Sequence, residues 1–297
     1  MDLHYRARLC FSASANPTRR SDASAEVPIP DPPDGSKDQT SANKMGKQNG
    51  DSPHFSQFVK WGLSPFSWDC PAYNARMFLG HHAVAFAARR ADPRLSLGIL
   101  VLAATLVDLL WPMFLLLGLE HVEIDPGNTP FTPLNFTHYP ITHSVPGSLT
   151  WSAALALLWY SRNKAARAAA VVGAVVFSHW ILDVISHRPD VPVMPGGPYV
   201  GLGLWYSVPA TLLVEGMLFA GGILLYVRGT RARDVAGRWS LVSLVVFLTV
   251  VYAAAAFGPP PPSERAIAYG ALAAWLFVPW AYWIDRHREL AAASSSR

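Results

Sequence analysis

FSHWILDVISH, residues 177–187, closes an apolar run long enough to cross a bilayer, yet it carries His179, Asp183 and His187. Helical residues four apart lie on one face, so these three ionisable side chains form a stripe. An Asp at the centre of a spanning helix costs about 2.5–3.5 kcal/mol even on a lenient insertion scale. A stripe of this kind needs a compensating partner, and the rest of the chain has to supply it.

Working outward, 51% of the 297 residues are hydrophobic and only 15% are charged, and the apolar ones are gathered into blocks. Six blocks, residues 95–119, 145–160, 168–185, 205–227, 239–257 and 266–284, approach the ~20 residues of a spanning helix. A shorter apolar stretch, residues 78–88, precedes them. Basic residues fall in alternate connections: Arg89, Arg90 and Arg94, then Arg162, Lys164 and Arg167, then Arg228, Arg231, Arg233 and Arg238, then Arg286 and Arg288. Under the positive-inside rule this predicts an all-α, polytopic membrane helix bundle of six spans with both termini cytoplasmic. Cys10 and Cys70 precede every block, so the membrane body has no thiolate, and any metal there needs His and carboxylate ligands. The formal charge of +4 is small for this length and concerns orientation in a bilayer, not nucleic acid.

The chain divides by composition into residues 1–76, 77–290 and 291–297. The first part includes EVPIPDPPDGSKDQTSANKMGKQNGDSP and has no apolar period, so disorder is expected there. Its start lacks the apolar centre of a secretory signal, and the acidic residues that soon follow weigh against a transit peptide. The abrupt change at Met77 suggests that the first part is dispensable or is not translated. Residues 77–290 form the membrane domain, and 291–297 a disordered tail.

The orientation assigns depths. His179 falls in the outer half of the third span, with Asp183 one turn nearer the surface and His187 at the rim. His143 of HYPITHS lies at the outer start of the second span, with Thr142 or Ser144 as an N-cap and Pro146 in the first turn. Asp108 lies about 21 Å up a helix from Arg94, and Pro112 four residues later predicts a kink. His81 and His82 allow two readings: residues 78–88 rise into the membrane as a half-helix that brings His82 near the midplane, or they lie as an amphipathic helix on the cytoplasmic surface. Glu215, mid-span, is either a protonated helix-packing contact or else a site carboxylate or a partner for His82. Arg188 is either an interface anchor or the group that holds a substrate's phosphate. His121, His138 and His287 read as loop, interfacial and tail residues.

His179 and Asp183 at i,i+4 can close on one metal ion, and Asp108 and His143 can complete the set. Zinc in such a site keeps an open position and lowers the pKa of the water there to about 7, so metal-assisted hydrolysis is the natural reaction class. The amides that begin the second span would suit a phosphate.

GHHAVAFAARR, DLLWP, HYPITHS and SHWILDVISHRPD resemble the bacterial inner-membrane family of membrane-bound metal-dependent hydrolases, the LexA-binding, inner-membrane-associated group. The likeness extends to WIDRHRE and leaves out residues 1–76. It implies a six-span body with an N-terminal half-helix and assigns His82, Asp108, His143, His179 and Asp183 to the family's polar motifs as metal ligands, with zinc the natural divalent ion. His187, Arg188 and Glu215 remain as catalytic candidates. The His179–Asp183 spacing is also similar to the helix-borne ligands of zinc-dependent phospholipases C and P1-type nucleases. Where many relatives carry an acidic-His pair after the first Asp, this chain has Leu109–Leu110, which weighs against a full multi-metal site.

The leading expectation is a hydrolase of a phosphoester, or a related bond, in a lipid or lipid-linked molecule at the outer face. An ion or solute transporter is the second reading, although no two halves of the chain look repeated. A non-catalytic scaffold whose His/Asp cluster pins helices together is the third.

Overall fold

The structure, a computed structural model, describes residues 79–291. The expectations for residues 1–76 and for most of the short C-terminal tail lie outside the described residues. The chain begins with a ten-residue helix, α1 (Leu79–Ala88), and turns through Arg89–Arg90 into α2 (Leu97–Leu116). A hairpin of β1 (His121–Ile124) and β2 (Leu134–His138) leads into one turn of helix, α3 (Pro140–His143), and then α4 (Val145–Asn163) and α5 (Ala166–Ser186). A second small hairpin, β3 (Val191–Pro192) with β4 (Tyr199–Val200), and a 3₁₀ turn at Leu204–Tyr206 precede α6 (Val208–Gly229). After β5 (Thr230–Ala232) come α7 (Val235–Phe257), α8 (Glu264–Leu272), a 3₁₀ turn at Ala273–Leu276, α9 (Phe277–Arg286) and β6 (Arg288–Leu290), which pairs antiparallel with β5.

The helix starts follow capping chemistry. The side chains of Ser96, Ser144, Ser207, Asp234 and Ser263 each accept the amide three residues on, at the heads of α2, α4, α6, α7 and α8. Pro146 occupies the first turn of α4, and α2 continues helical through Pro112. Lys164, in the left-handed region at φ 52°, closes α4 and turns the chain into α5.

Among the described residues, five helical segments are long and apolar enough to cross a membrane: α2, α5, α6, α7 and the run Glu264–Arg286 that α8 and α9 share. Leu213, Val246 and Val250 are among the large apolar side chains they turn outward, as suits surroundings of lipid. The block at 145–160 forms a 19-residue helix, α4, but its Ser, Thr and Arg residues keep it outside this set of five. The block at 205–227 starts later than expected because Leu204–Tyr206 makes a 3₁₀ turn. Among the described residues, three two-stranded ladders also qualify the all-α expectation.

Helix α2 is the hub: about two-thirds of it is buried, against fewer than two-fifths of each other candidate span. It packs against α1, α5, α8 and α9, while α1 wedges between α2, α5 and α6. Gly222 lets α6 approach α1 closely, since a Cβ there would stand 2.5 Å from the Ala83 carbonyl oxygen. The two ends of the bundle differ. Arg89, Arg167, Arg288 and Asp285 cluster where α1 ends and α2 and α5 begin, whereas the β1–β2 and β3–β4 hairpins cover the other end.

Candidate metal centre

Helix α2 carries Asp108 eleven residues past Leu97, about 16 Å from the arginine-rich end. His143 is the last residue of α3, and His179 and Asp183 stand one turn apart on α5, with His187 directly after it. Helix α1 reaches the same point from below, because His81 lies eight residues, or about 12 Å, before Arg89. Apart from Asp108, whose side chain is 41% exposed to the pocket, these groups are buried.

Their reactive atoms converge. His143 Nε2 lies 3.4 Å from Asp108 Oδ1 and 3.8 Å from Asp183 Oδ2. His179 Nε2 lies 3.4 Å from each of the same two oxygens. Four ligand atoms around a tetrahedral zinc, each about 2.0–2.1 Å from it, stand roughly 3.3 Å apart. The His/Asp separations approach that spacing, and two overlapping triads, Asp108–His143–His179 and His81–His179–Asp183, could each hold a metal ion. His81 Nε2 is 3.3 Å from the other Asp183 oxygen, Oδ1, and the His81 ring stacks on His179 with centroids 3.6 Å apart.

Outer partners fix which nitrogen of each imidazole carries the proton. His179 Nδ1 lies 2.8 Å from the Ala104 carbonyl, which can only accept, so Nδ1 donates and the Nε2 lone pair faces the carboxylates. His143 Nδ1 meets Thr142 Oγ1 at 2.6 Å, and that hydroxyl gives its single proton to Glu120 Oε2 at 2.8 Å. The Thr142 oxygen must therefore accept from His143, leaving Nε2 as a lone pair again. Glu120 is fully buried, and its other oxygen accepts the amides of Ile141 and Thr142. His187 Nδ1 donates to Asp190 Oδ1 at 3.0 Å, and its Nε2 lies 4.0 Å from Asp183 Oδ1. Asp190 also takes the Tyr139 hydroxyl and Arg188 Nε. Burial and the Asp190 carboxylate hold the Tyr139 phenol well above its ordinary range, so it stays a donor.

Three acceptor nitrogens thus point toward two carboxylates, acceptor facing acceptor. A hydrogen bond cannot close such a contact without an added proton, whereas a cation among Asp108, His143, His179 and Asp183 closes the contacts of 3.4–3.8 Å between them. The pocket above is lined by His81, Asp108, His143, Asp183 and His187 on one wall and by Trp111, Phe136 and Trp205 among the other residues. Among the described residues no Lys or Arg lines it.

The other expected site residues lie elsewhere. His82 points away, edge-on to Phe277, because adjacent residues diverge by 100° around a helix; His81 occupies the position expected of His82. Glu215 is buried beneath, where its Oε2 accepts the Leu79 amide at 3.2 Å and so anchors the first turn of α1. Arg188 is committed to Asp190 and Asn135 and does not line the pocket. Among groups that sequence reasoning passed over, Asp190 carries a local signal, three residues after His187. Glu120 and Thr142 carry none, since only the hairpin brings them together. Comparison with known proteins adds no relative: no family model matches the chain, nor does any curated protein or solved structure.

Proposed function

We propose that the chain is a metal-dependent hydrolase of the bacterial inner membrane, of the LexA-binding, inner-membrane-associated kind, with six spans and both termini cytoplasmic. Here α4 completes the six, α1 is the half-helix, and the site opens toward the outer face. Asp108, His143, His179 and Asp183 hold one divalent ion, with zinc suited to this mixed His/Asp set, and His81 stands by as a further ligand. The observation that carries the reading is the convergence of Nε2 lone pairs whose Nδ1 atoms are tied to Ala104, Thr142 and Asp190. Such outer partners orient ligating imidazoles and raise their basicity.

When bound, the ion supplies Lewis acidity toward water and toward the bond to be cleaved. The residues of the chain do the rest. The Thr142–Glu120 pair holds His143 in one tautomer, and Asp190 keeps His187 Nε2 directed into the pocket, where it can take a proton from water and return it to the leaving group. The β1–β2 hairpin, through Leu134 and Phe136, limits access of bulk water.

Elemental analysis of the purified chain tests the reading. One equivalent of metal in the parent and none in His179→Ala or Asp183→Ala supports it. Equal metal in parent and both variants places the ion elsewhere. Cysteines introduced at Asn128 and Arg162 test the orientation: an impermeant reagent applied to intact cells should label the first and spare the second.

A further inference from the structure

The pocket has two chemically different walls and one notable opening. Its polar wall is the His/Asp cluster. Its other wall includes Trp111 on α2, Ile267 and Ala271 on α8, and Ala274 in the 3₁₀ turn that follows. These four belong to segments apolar and long enough to span a bilayer, so the apolar wall lies at lipid depth. Asp108 keeps 41% of its side chain exposed although it sits well inside the most buried of these helices, so the opening reaches the carboxylate itself. Two small residues, Ala271 and Ala274, leave room beside α2, and Trp275 pins the far side by donating from Nε1 to the Leu109 carbonyl at 3.1 Å. The 3₁₀ turn between α8 and α9 thus stands beside the cluster as part of the pocket's apolar wall.

Charge narrows the ligand. Among the described residues two carboxylates line the pocket and no Lys or Arg does, while Arg188, the cation on which a phosphate reading leaned, is bound to Asp190 and Asn135. One divalent ion neutralises Asp108 and Asp183 and leaves no positive excess. An anionic phosphate has little to attract it there, whereas an uncharged carbonyl suits a Lewis acid in neutral surroundings.

We propose that the site takes a membrane amphiphile through an uncharged carboxylic ester or amide, with the hydrocarbon chain lying in the cleft between α2 and the α8–α9 junction. This rests on the hydrolase reading for its chemistry and on the cleft alone for its binding. The oxygen of water bonds to the carbonyl carbon and the C–O or C–N bond breaks. One proton of water goes to the leaving oxygen or nitrogen, and the acyl part departs as a carboxylic acid.

Photolabelling of the full chain, purified in detergent with zinc present, tests the cleft without requiring turnover. The probes are a monoacylglycerol with a diazirine in its chain and the same chain esterified to glycerol phosphate. The neutral probe should label the peptides that carry Trp111 and residues 267–274. Ala271→Trp and Ala274→Trp should each reduce that labelling to background, while Leu213→Trp, on an outward face that is 61% exposed, should leave it unchanged. The phosphate probe should label more weakly. Labelling spread over the outward faces and indifferent to both Ala substitutions overturns the proposal, as does a phosphate probe that labels the cleft as strongly as the neutral one. Zinc content measured on the same samples separates the two readings. Zinc bound without cleft labelling defeats the cleft and spares the metal centre, and cleft labelling without zinc does the reverse.

Discussion

At the arginine-rich end, Asp285 accepts the Tyr226 hydroxyl at 2.9 Å and the Leu97 amide, and stands 3.4 Å from Arg89. Asp92 there takes three hydrogen bonds from Arg94, two from its side chain and one from its amide, and Arg288 clamps Thr230 and the Gly237 carbonyl. At the hairpin-covered end, Asp108 and Asp183 have imidazoles for neighbours, of which His143 and His179 already spend their Nδ1 protons on outer partners. Both ends bury polar groups, but at the arginine-rich end Asp92 and Asp285 meet guanidinium groups that are always charged, whereas at the hairpin-covered end the carboxylates meet imidazoles. The contrast separates a structural network from a candidate binding site: in the first these two carboxylates each have a permanent cation of the chain's own, whereas the second keeps an excess of acceptors.

The largest expected effects would break or sharpen that contrast directly. His179→Ala and Asp183→Ala should each abolish hydrolysis and remove bound metal while membrane insertion persists, because losing a polar group makes a span more apolar. Asp285→Ala should do the opposite. It leaves Arg89 half-buried without its acid, at a cost of about 3 kcal/mol by analogy with broken buried pairs, and the metal content should not change. Thermal melting in detergent beside elemental analysis reads both. Metal lost equally from the Asp285 variant would dissolve the distinction between the ends.

The adjacent histidines of α1 give the next effect. His81→Ala should weaken metal retention, seen as faster loss to a chelator, whereas His82→Ala should leave retention unchanged and lower stability by about 1–3 kcal/mol through lost packing against Phe277. Equal chelator sensitivity in both variants would mean that α1 does not present His81 to Asp183. Gly222→Val approaches the same helix from behind. Overpacking against the Ala83 carbonyl should cost about 1–3 kcal/mol and, by displacing α1, make the metal as easily lost as in His81→Ala.

Much of this was legible in the sequence for a physical reason. Apolar blocks and the i,i+4 stripe are local patterns, so the helices of the bundle and the His179–Asp183 pair could be read directly. Asp108 and His143 could be added because a polar residue inside or at the end of an apolar block is conspicuous. The register of α1 could not be read, since GHHA offers two histidines and only the contact with α6 at Gly222 decides which one faces α5. Nor could Glu120 be found, because it looks like a loop carboxylate until the β1–β2 hairpin folds Thr142 back onto it. Arg188 invited a phosphate, but three-dimensional proximity gives it to Asp190 instead.

The smallest effect belongs to Asp234, at the arginine-rich end. Its carboxylate accepts His287 Nδ1 at 2.7 Å and caps α7 through the Gly237 amide at 2.7 Å. The His287 hydrogen bond and then that amide hold its carboxyl below the usual carboxylate range in the folded chain. A group whose folded pKa is depressed adds stability that is fully present above its unfolded value, about 4, and is lost as pH falls through the lower folded value. The pair is solvated, so screening keeps the contribution small. Asp234→Asn should therefore lower the melting temperature slightly at neutral pH, and the gap between parent and variant should close as the buffer is taken below pH 4. Raising the salt concentration at neutral pH should narrow the same gap. Metal content should stay at the parent's level throughout, since nothing at this end contributes to the cluster. A gap that widened on acidification would mean that the cap and the His287 contact do not favour the charged carboxylate.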